Sequence, residues 1–221
     1  MIPGTPGAAL LSRLYDTLAA SDPVQKSDVI LVLAGRECRK HFALGLLGEG
    51  WAPTLMLSVG RFEIRRFSSL DLPTSLDLVA IASATEPPRR HYFVTIEGGK
   101  AEAQRIAVGR FGTLSEILAL SEWLKTHPLI RSVTVVSSGY HLKRIRVCSR
   151  LLVPEDRRLQ FVAVPDENRY LREHWWRDPD VRWVVLSEVL KIAVYRFLAL
   201  RLLLRSEYRP TLGQRFSDKA G

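Results

Sequence analysis

Two spacings of apolar residues alternate along the chain. Short runs rich in β-branched residues, Asp28–Ala34 (DVILVLA), Thr54–Val59 (TLMLSV) and Ser132–Ser137 (SVTVVS), predict buried strands. Arg105–Val108 and Leu159–Val164 are fainter candidates. Between the strands, apolar positions recur every three or four residues. This predicts helices over Glu37–Glu49, Thr113–Thr126, Tyr140–Val153 and Arg182–Leu204, with a short amphipathic one over Ala8–Ala20. Strand followed by helix, repeated, predicts an α/β domain: a doubly wound, mostly parallel sheet in three α/β/α layers. The stretch Arg61–Lys100 breaks this rhythm with Pro73, Pro87, Pro88, Gly98 and Gly99. It reads as an insertion carrying a short helix and an edge strand or hairpin, with His91–Ile96 its one plausible strand. The expected organisation is an N-terminal helix and linker over 1–27, one domain over 28–205, and a flexible tail over 206–221.

Laying the helices out at 100° per residue shows polar groups on apolar faces. In Tyr140–Val153 the apolar arc of Leu142, Ile145, Cys148, Leu151 and Leu152 has His141 at its centre and Arg144 at its edge. In Thr113–Thr126, Thr113 lies inside the arc and Glu116 on its flank; in Glu37–Glu49, Arg39 lies in the middle. All fall in the first turn of their helix. In a parallel α/β sheet first turns sit at the carboxyl edge of the strands, where ligands bind and helix N-termini favour anions. Arg39, Glu116, His141 and Arg144 are thus expected to converge there. Each also has a plainer reading. Thr113-x-x-Glu116 is a capping box, His141 could be a core histidine bonded to a carbonyl, Arg144 could pair with Glu116, and Arg39 could reach past its helix to solvent.

Several chemistries are missing. The first strand turn, Ala34-Gly35-Arg36-Glu37, has neither the dinucleotide glycine pattern nor a phosphate-cradling G-x-x-x-x-G-K-[ST] loop, and no H-E-x-x-H or G-x-S-x-G occurs. Carboxylates and histidines do not cluster at metal-ligand spacing, and Cys38 and Cys148 cannot form a cysteine scaffold or a zinc site. Ser137-Ser138-Gly139 could offer hydroxyls or N–H groups to a phosphate, or simply form a turn. The net charge of +9 favours an anionic partner, but residues 1–139 carry only +2 of it and 140–209 carry +6. No run of five like charges and no aromatic-basic alternation occurs, so nucleic acid is disfavoured.

The order of these pieces resembles the YdcF-like family, a domain of unknown function with members in the cell envelope. The resemblance rests on Asp28–Gly35, Gly48-Glu-Gly-Trp-Ala-Pro, Thr54–Gly60, Gly112-Thr113-Leu-Ser-Glu116, Val133–Ser138, Tyr140-His141-Leu-Lys-Arg144 and the closing Leu186-Ser-Glu188-Val-Leu-Lys191 with Tyr195. The chain departs from the family pattern at Arg36, which follows a single glycine, and at Ile117, where the family tends to have Asn. The resemblance implies a Rossmann-like fold and a site of Arg39, Thr113, Glu116, His141 and Arg144. It also implies a nucleotide-like ligand such as S-adenosylmethionine. On this basis His141 is expected to act as general acid/base, its basicity tuned by Glu116. Arg39 and Arg144 are expected to clamp a phosphorylated or otherwise anionic small molecule, with Thr113, Ser138 and Gly35 as hydrogen-bond partners. The alternative is a ligand-binding or regulatory protein of the envelope without chemistry.

The stretch Met1–Gly7 lacks the charged and apolar regions of a signal peptide, so a cytoplasmic chain is expected. Arg182–Leu204 is apolar around most of its circumference but contains Glu188, Lys191, Arg196 and Arg201, which disfavours a bilayer span. It is expected to pack on the sheet or a partner subunit. The other reading is peripheral contact with the inner membrane through 182–205, with Leu198, Leu202 and Leu203 in lipid and Arg196, Arg201 and Arg205 at headgroups.

Overall fold

The computed structural model describes residues 6–67, 70, 72, 76–205 and 212–217. Pro73 and most of the stretch Met1–Gly7 lie outside the described residues, as does the tail apart from 212–217. The elements run α1 (Pro6–Leu18), β1 (Val29–Val32), α2 (Glu37–Gly48), β2 (Thr54–Val59), α3 (Ile64–Phe67), α4 (Leu78–Ser83), β3 (Tyr92–Glu97) and β4 (Lys100–Ile106). They continue with α5 (Gly112–Thr126), β5 (Ser132–Ser137), α6 (Leu142–Leu152), β6 (Arg158–Ala163), α7 (Pro165–His174), α8 (Pro179–Arg205) and β7 (Leu212–Ser217).

Seven strands form one mixed sheet in the order β6-β5-β1-β2-β3-β4-β7. The four strands from β6 to β2 are parallel, and the three pairings from β2 to β7 are antiparallel. Alternation along β1 divides the core between the two faces. Val29 and Leu31 join α5, α6 and α8 on one side, while Ile30 and Val32 join α2, α3 and α4 on the other. The result is a three-layer, Rossmann-like α/β/α fold. A third cluster, built on Tyr15, Tyr140 and Trp175, holds α1 and α7 to the flank. At the amino edge, Asp28 pins the register: Oδ2 accepts the backbone N–H groups of Arg131 and Ser132, both at 2.8 Å.

Two expectations and one alternative reading are corrected, and one helix is added. The strand placed at Arg105–Val108 is β4, which starts at Lys100 because Gly98 and Gly99, both with positive φ, turn the chain tightly into a β3–β4 hairpin. That hairpin is internal to the sheet, since residues 212–217, assigned to a flexible tail, pair antiparallel with β4 as β7. Helix α7 went unanticipated. Leu198 and Leu202, which the peripheral-membrane reading placed in lipid, pack against the core on the inward side of α8; the side chains of Leu203 and Arg205 lie outside the described residues. Among the described residues no helix is long and apolar enough to cross a membrane.

The chain turns from β1 to β2 on one side and returns to β1's other side as β5. The topological switch therefore lies between β1 and β5, and the carboxyl ends of β1, β2, β4 and β5 share one edge. Every candidate side chain named from the sequence lies at that edge.

Candidate functional site

The sequence-derived residues occupy three neighbouring clusters. In the first, the α2 side chain Arg39, only 3% exposed, folds under the β1–α2 turn. Its Nε and Nη2 donate to Ser138 Oγ at 3.1 and 2.9 Å, and Nη1 donates to the Ala34 carbonyl at 2.9 Å. Ser138 Oγ in turn donates to Glu167 Oε2 at 2.6 Å, and Arg36 lies 3.1 Å from the other oxygen of that carboxylate. Arg39 therefore does not reach solvent. Gly35 is needed here: its φ is +138°, and a Cβ would stand 2.7 Å from Arg39 Nη1.

The second cluster is centred on α6. Arg144 donates through Nε to Glu188 Oε2 at 2.7 Å, through Nη1 to Thr113 Oγ1, and through Nη2 to His141 Nδ1 at 2.9 Å. Its guanidinium lies 4.8 Å from the centre of the Tyr195 ring. Glu188, fully buried on α8, also lies 3.3 Å from His141 Nδ1 and 3.0 Å from Lys191 Nζ. Two expectations are thereby corrected. Arg144 pairs with Glu188 rather than Glu116, and Glu188, not Glu116, sets the electrostatics of His141. Burial pushes His141 down to about 4, helped by the charges of Arg39 and Arg144 and opposed by Glu188. Burial would raise the Glu188 carboxyl, but the ion pair with Arg144 outweighs it and helps hold the group at about 2. At neutral pH the imidazole is therefore uncharged, and its Nδ1 accepts from Arg144. That leaves the proton on Nε2, so His141 is a hydrogen-bond donor there.

The third cluster holds Glu116 and residues that the sequence did not single out. Glu116 Oε1 accepts the Ala34 N–H at 2.9 Å and the Ser58 hydroxyl at 2.5 Å. Ser58 Oγ also lies 2.8 Å from His91 Nε2. The hydroxyl has one proton, and the carboxylate can only accept it, so His91 must donate from Nε2. The chain runs His91 Nε2–H to Ser58 O–H to Glu116, leaving Nδ1 of His91 outside that chain. Burial would raise the Glu116 carboxyl, but His91, Ser58 and the Ala34 amide together lower it. The capping box is not formed: Phe111 is the N-cap residue of α5, so Thr113 already lies inside the helix, turned to Arg144.

Glu63, just before α3, ties in the rim. It accepts the N–H of Gly35 and, at 2.9 Å, that of Gly60, and Lys40 lies 3.3 Å away. Above these turns opens a cavity of about 610 Å³, walled by Gly35, Arg61, Glu63, Arg90, His91 and Val108. It is of a size for a small-molecule ligand. The edge of the His91 ring carrying Cε1 and Nδ1 faces Gly60, where a Cβ would stand 3.6–3.7 Å away. A second cavity, of about 570 Å³, opens at the opposite edge of the sheet, between Thr54, Glu97, Gln104 and Trp123. None of the ionisable clusters faces it, and ligands of this fold bind at the carboxyl edge.

Ser58 and His91 were hidden for different reasons. A serine inside an apolar strand reads as a tolerated core residue, and His91 sits in the least periodic part of the chain. Glu188 did leave a trace, as the lone acidic residue within the apolar stretch Arg182–Leu204. Among the described residues, no group of three or more His, Cys, Asp or Glu side chains could hold a metal ion. Compared with family models, with curated proteins and with solved structures, the chain matches none.

Proposed function

We propose that the protein is of the YdcF-like type. In this reading it binds a phosphorylated or nucleotide-like anionic small molecule at the carboxyl edge of the sheet and exchanges a proton with it through His91. The observation that carries the reading is the hydrogen-bonded chain His91–Ser58–Glu116 opening onto a cavity whose wall bears Arg61 and Arg90. The two arginines supply charge for an anion. Glu116 orients the chain from behind, so the Nδ1 edge of the His91 ring is the group presented for acid–base work. Arg39 supports the β1–α2 turn at the rim through the Ala34 carbonyl.

A second reading, ligand binding without chemistry in envelope homeostasis, is favoured by one observation. Arg39 and Arg144 spend hydrogen bonds on protein groups, and neutral His141 is held between Arg144 and Glu188.

The test is isothermal titration with inorganic phosphate, AMP, ATP and S-adenosylmethionine, followed by mass spectrometry of each mixture for product. Wild type should bind at least one probe, and Arg61→Ala/Arg90→Ala should bind it at least tenfold more weakly. His91→Gln should keep binding and lose product formation. Binding indifferent to the arginine pair would overturn the location; binding with no product would leave the second reading.

A further inference from the structure

α8 packs through only one side. Val185, Glu188, Tyr195 and Ala199 face inward and are buried. At 3.6 residues per turn the opposite side runs through Trp183, Leu186, Leu190, Phe197, Leu200 and Leu204. All six are exposed, Trp183 by 73%, Leu190 by 70% and Leu204 by 86%. Scattered exposed apolar side chains are ordinary; an unbroken stripe along six turns marks a surface that meets something apolar.

The charges beside the stripe say what that is. Arg182, Arg196 and Arg201 are exposed along it. The only acidic residue between Val181 and Leu204 is Glu188, which is buried on the inward side against Arg144. Along α8 from Val181 to Leu204 a partner therefore meets apolar side chains bordered by cations, with no exposed carboxylate among the described residues of that stretch. A second copy would bring the same cations to the same rim. An anionic lipid surface does not have that difficulty. It needs a single face, gives the arginines headgroup phosphates, and takes tryptophan and phenylalanine at the depth they prefer.

We infer that the outward face of α8 docks the protein on an anionic membrane, the helix lying in the plane of the interface with Trp183, Leu190 and Phe197 in the acyl boundary. The surface is separate from the carboxyl-edge cavity, so the inference does not depend on the ligand proposed there.

The experiment is flotation of the full chain with vesicles of phosphatidylcholine alone or with 30% phosphatidylglycerol, at low and at near-molar salt. Tryptophan emission and light-scattering mass are read alongside. The chain should float with the anionic vesicles at low salt, dissociate as salt screens the arginines, and show a blue shift that Trp183→Phe removes. Leu190→Ser/Phe197→Ser and Arg196→Gln/Arg201→Gln should each weaken binding by roughly tenfold or more. These positions are exposed, so unchanged thermal melting should accompany the loss. Failure to float with anionic vesicles would overturn the inference. So would a stable dimer that Leu190→Ser/Phe197→Ser converts to monomer, which would assign the stripe to a second copy.

Discussion

Replacing Glu188 with alanine leaves Arg144 in a buried site without its carboxylate. In the native chain Glu188 is fully buried, accepts from Arg144 Nε at 2.7 Å and lies 3.3 Å from His141 Nδ1. Breaking a buried ion pair by removing one partner costs about 3–5 kcal/mol, because the remaining charge keeps its desolvation penalty. At about 2–4 °C per kcal/mol for a domain of this size, the melting midpoint should fall by roughly 6–20 °C. Urea unfolding at pH 7 with an unchanged denaturant slope gives the energy directly. The double variant Arg144→Met/Glu188→Leu, which removes both charges and refills the volume, should recover most of the loss, since attraction and desolvation nearly cancel in such a pair. Acid titration supplies an independent readout. His141 is lowered from 6.5 to about 4. As pH falls through that window, the unfolded chain takes up a proton that the native imidazole refuses, and stability drops. The full window amounts to about 3 kcal/mol at 1.36 kcal/mol per pH unit. Glu188 is lowered from 4.5 to about 2, so its contribution is complete above pH 4.5 and is lost toward pH 2. The two windows are halves of one interaction and do not add in full. A Glu188→Ala loss under about 1 kcal/mol, or a double variant as unstable as the single, would refute the buried-pair account.

Three further outcomes follow from the rim. Gly35→Ala places a Cβ at φ +138° and 2.7 Å from Arg39 Nη1; thermal melting should show a loss of about 1–3 kcal/mol. Arg39→Met removes the donors to Ser138 and the Ala34 carbonyl. At about 1.5–3 kcal/mol for a hydrogen bond from a charged group, it should cost several kcal/mol in chemical unfolding, and a neutral result would contradict its buried role. Ser58→Ala breaks the chain between His91 and Glu116 and removes a hydrogen bond that favours the ionised carboxylate. Carboxyl carbon NMR should then find Glu116 titrating at higher pH than in wild type.

The layered fold was legible because its parallel strands are buried on both faces and are therefore continuously apolar, as in Asp28–Ala34 and Ser132–Ser137. The antiparallel half was less so. β7 (LGQRFS) is a half-polar edge strand recognisable only by its pairing with β4. α7 carries Pro165 at its start and Asp166 and Glu167 in its first turn, a helix-start signal masked by its low apolar content. For the site, the rule that inward ionisable groups in first turns mark the carboxyl edge placed Arg39, Glu116, His141 and Arg144 at the edge of the sheet where the structure has them. It could not say which would pair. Arg144 finds Glu188 forty-four positions away on α8, and Glu116 finds Ser58 fifty-eight positions away on β2. Those partners are fixed by how helices lie across the sheet, and local spacing carries no record of that.

The peptide group at Ala34 has a consequence of its own. Its N–H is held by a carboxylate from one helical layer and its C=O by a guanidinium from the other, and the next N–H, at Gly35, is held by Glu63. A turn of this kind at a sheet edge would ordinarily open many times a second. Here any opening must break hydrogen bonds to side chains from both outer layers, so the Ala34 and Gly35 amides should exchange with deuterium well below the rate of an unsupported turn. The Ala34–Gly35 stretch of the pocket rim is then a fixed part of the architecture, and a ligand arriving there meets a turn with little ordering left to do.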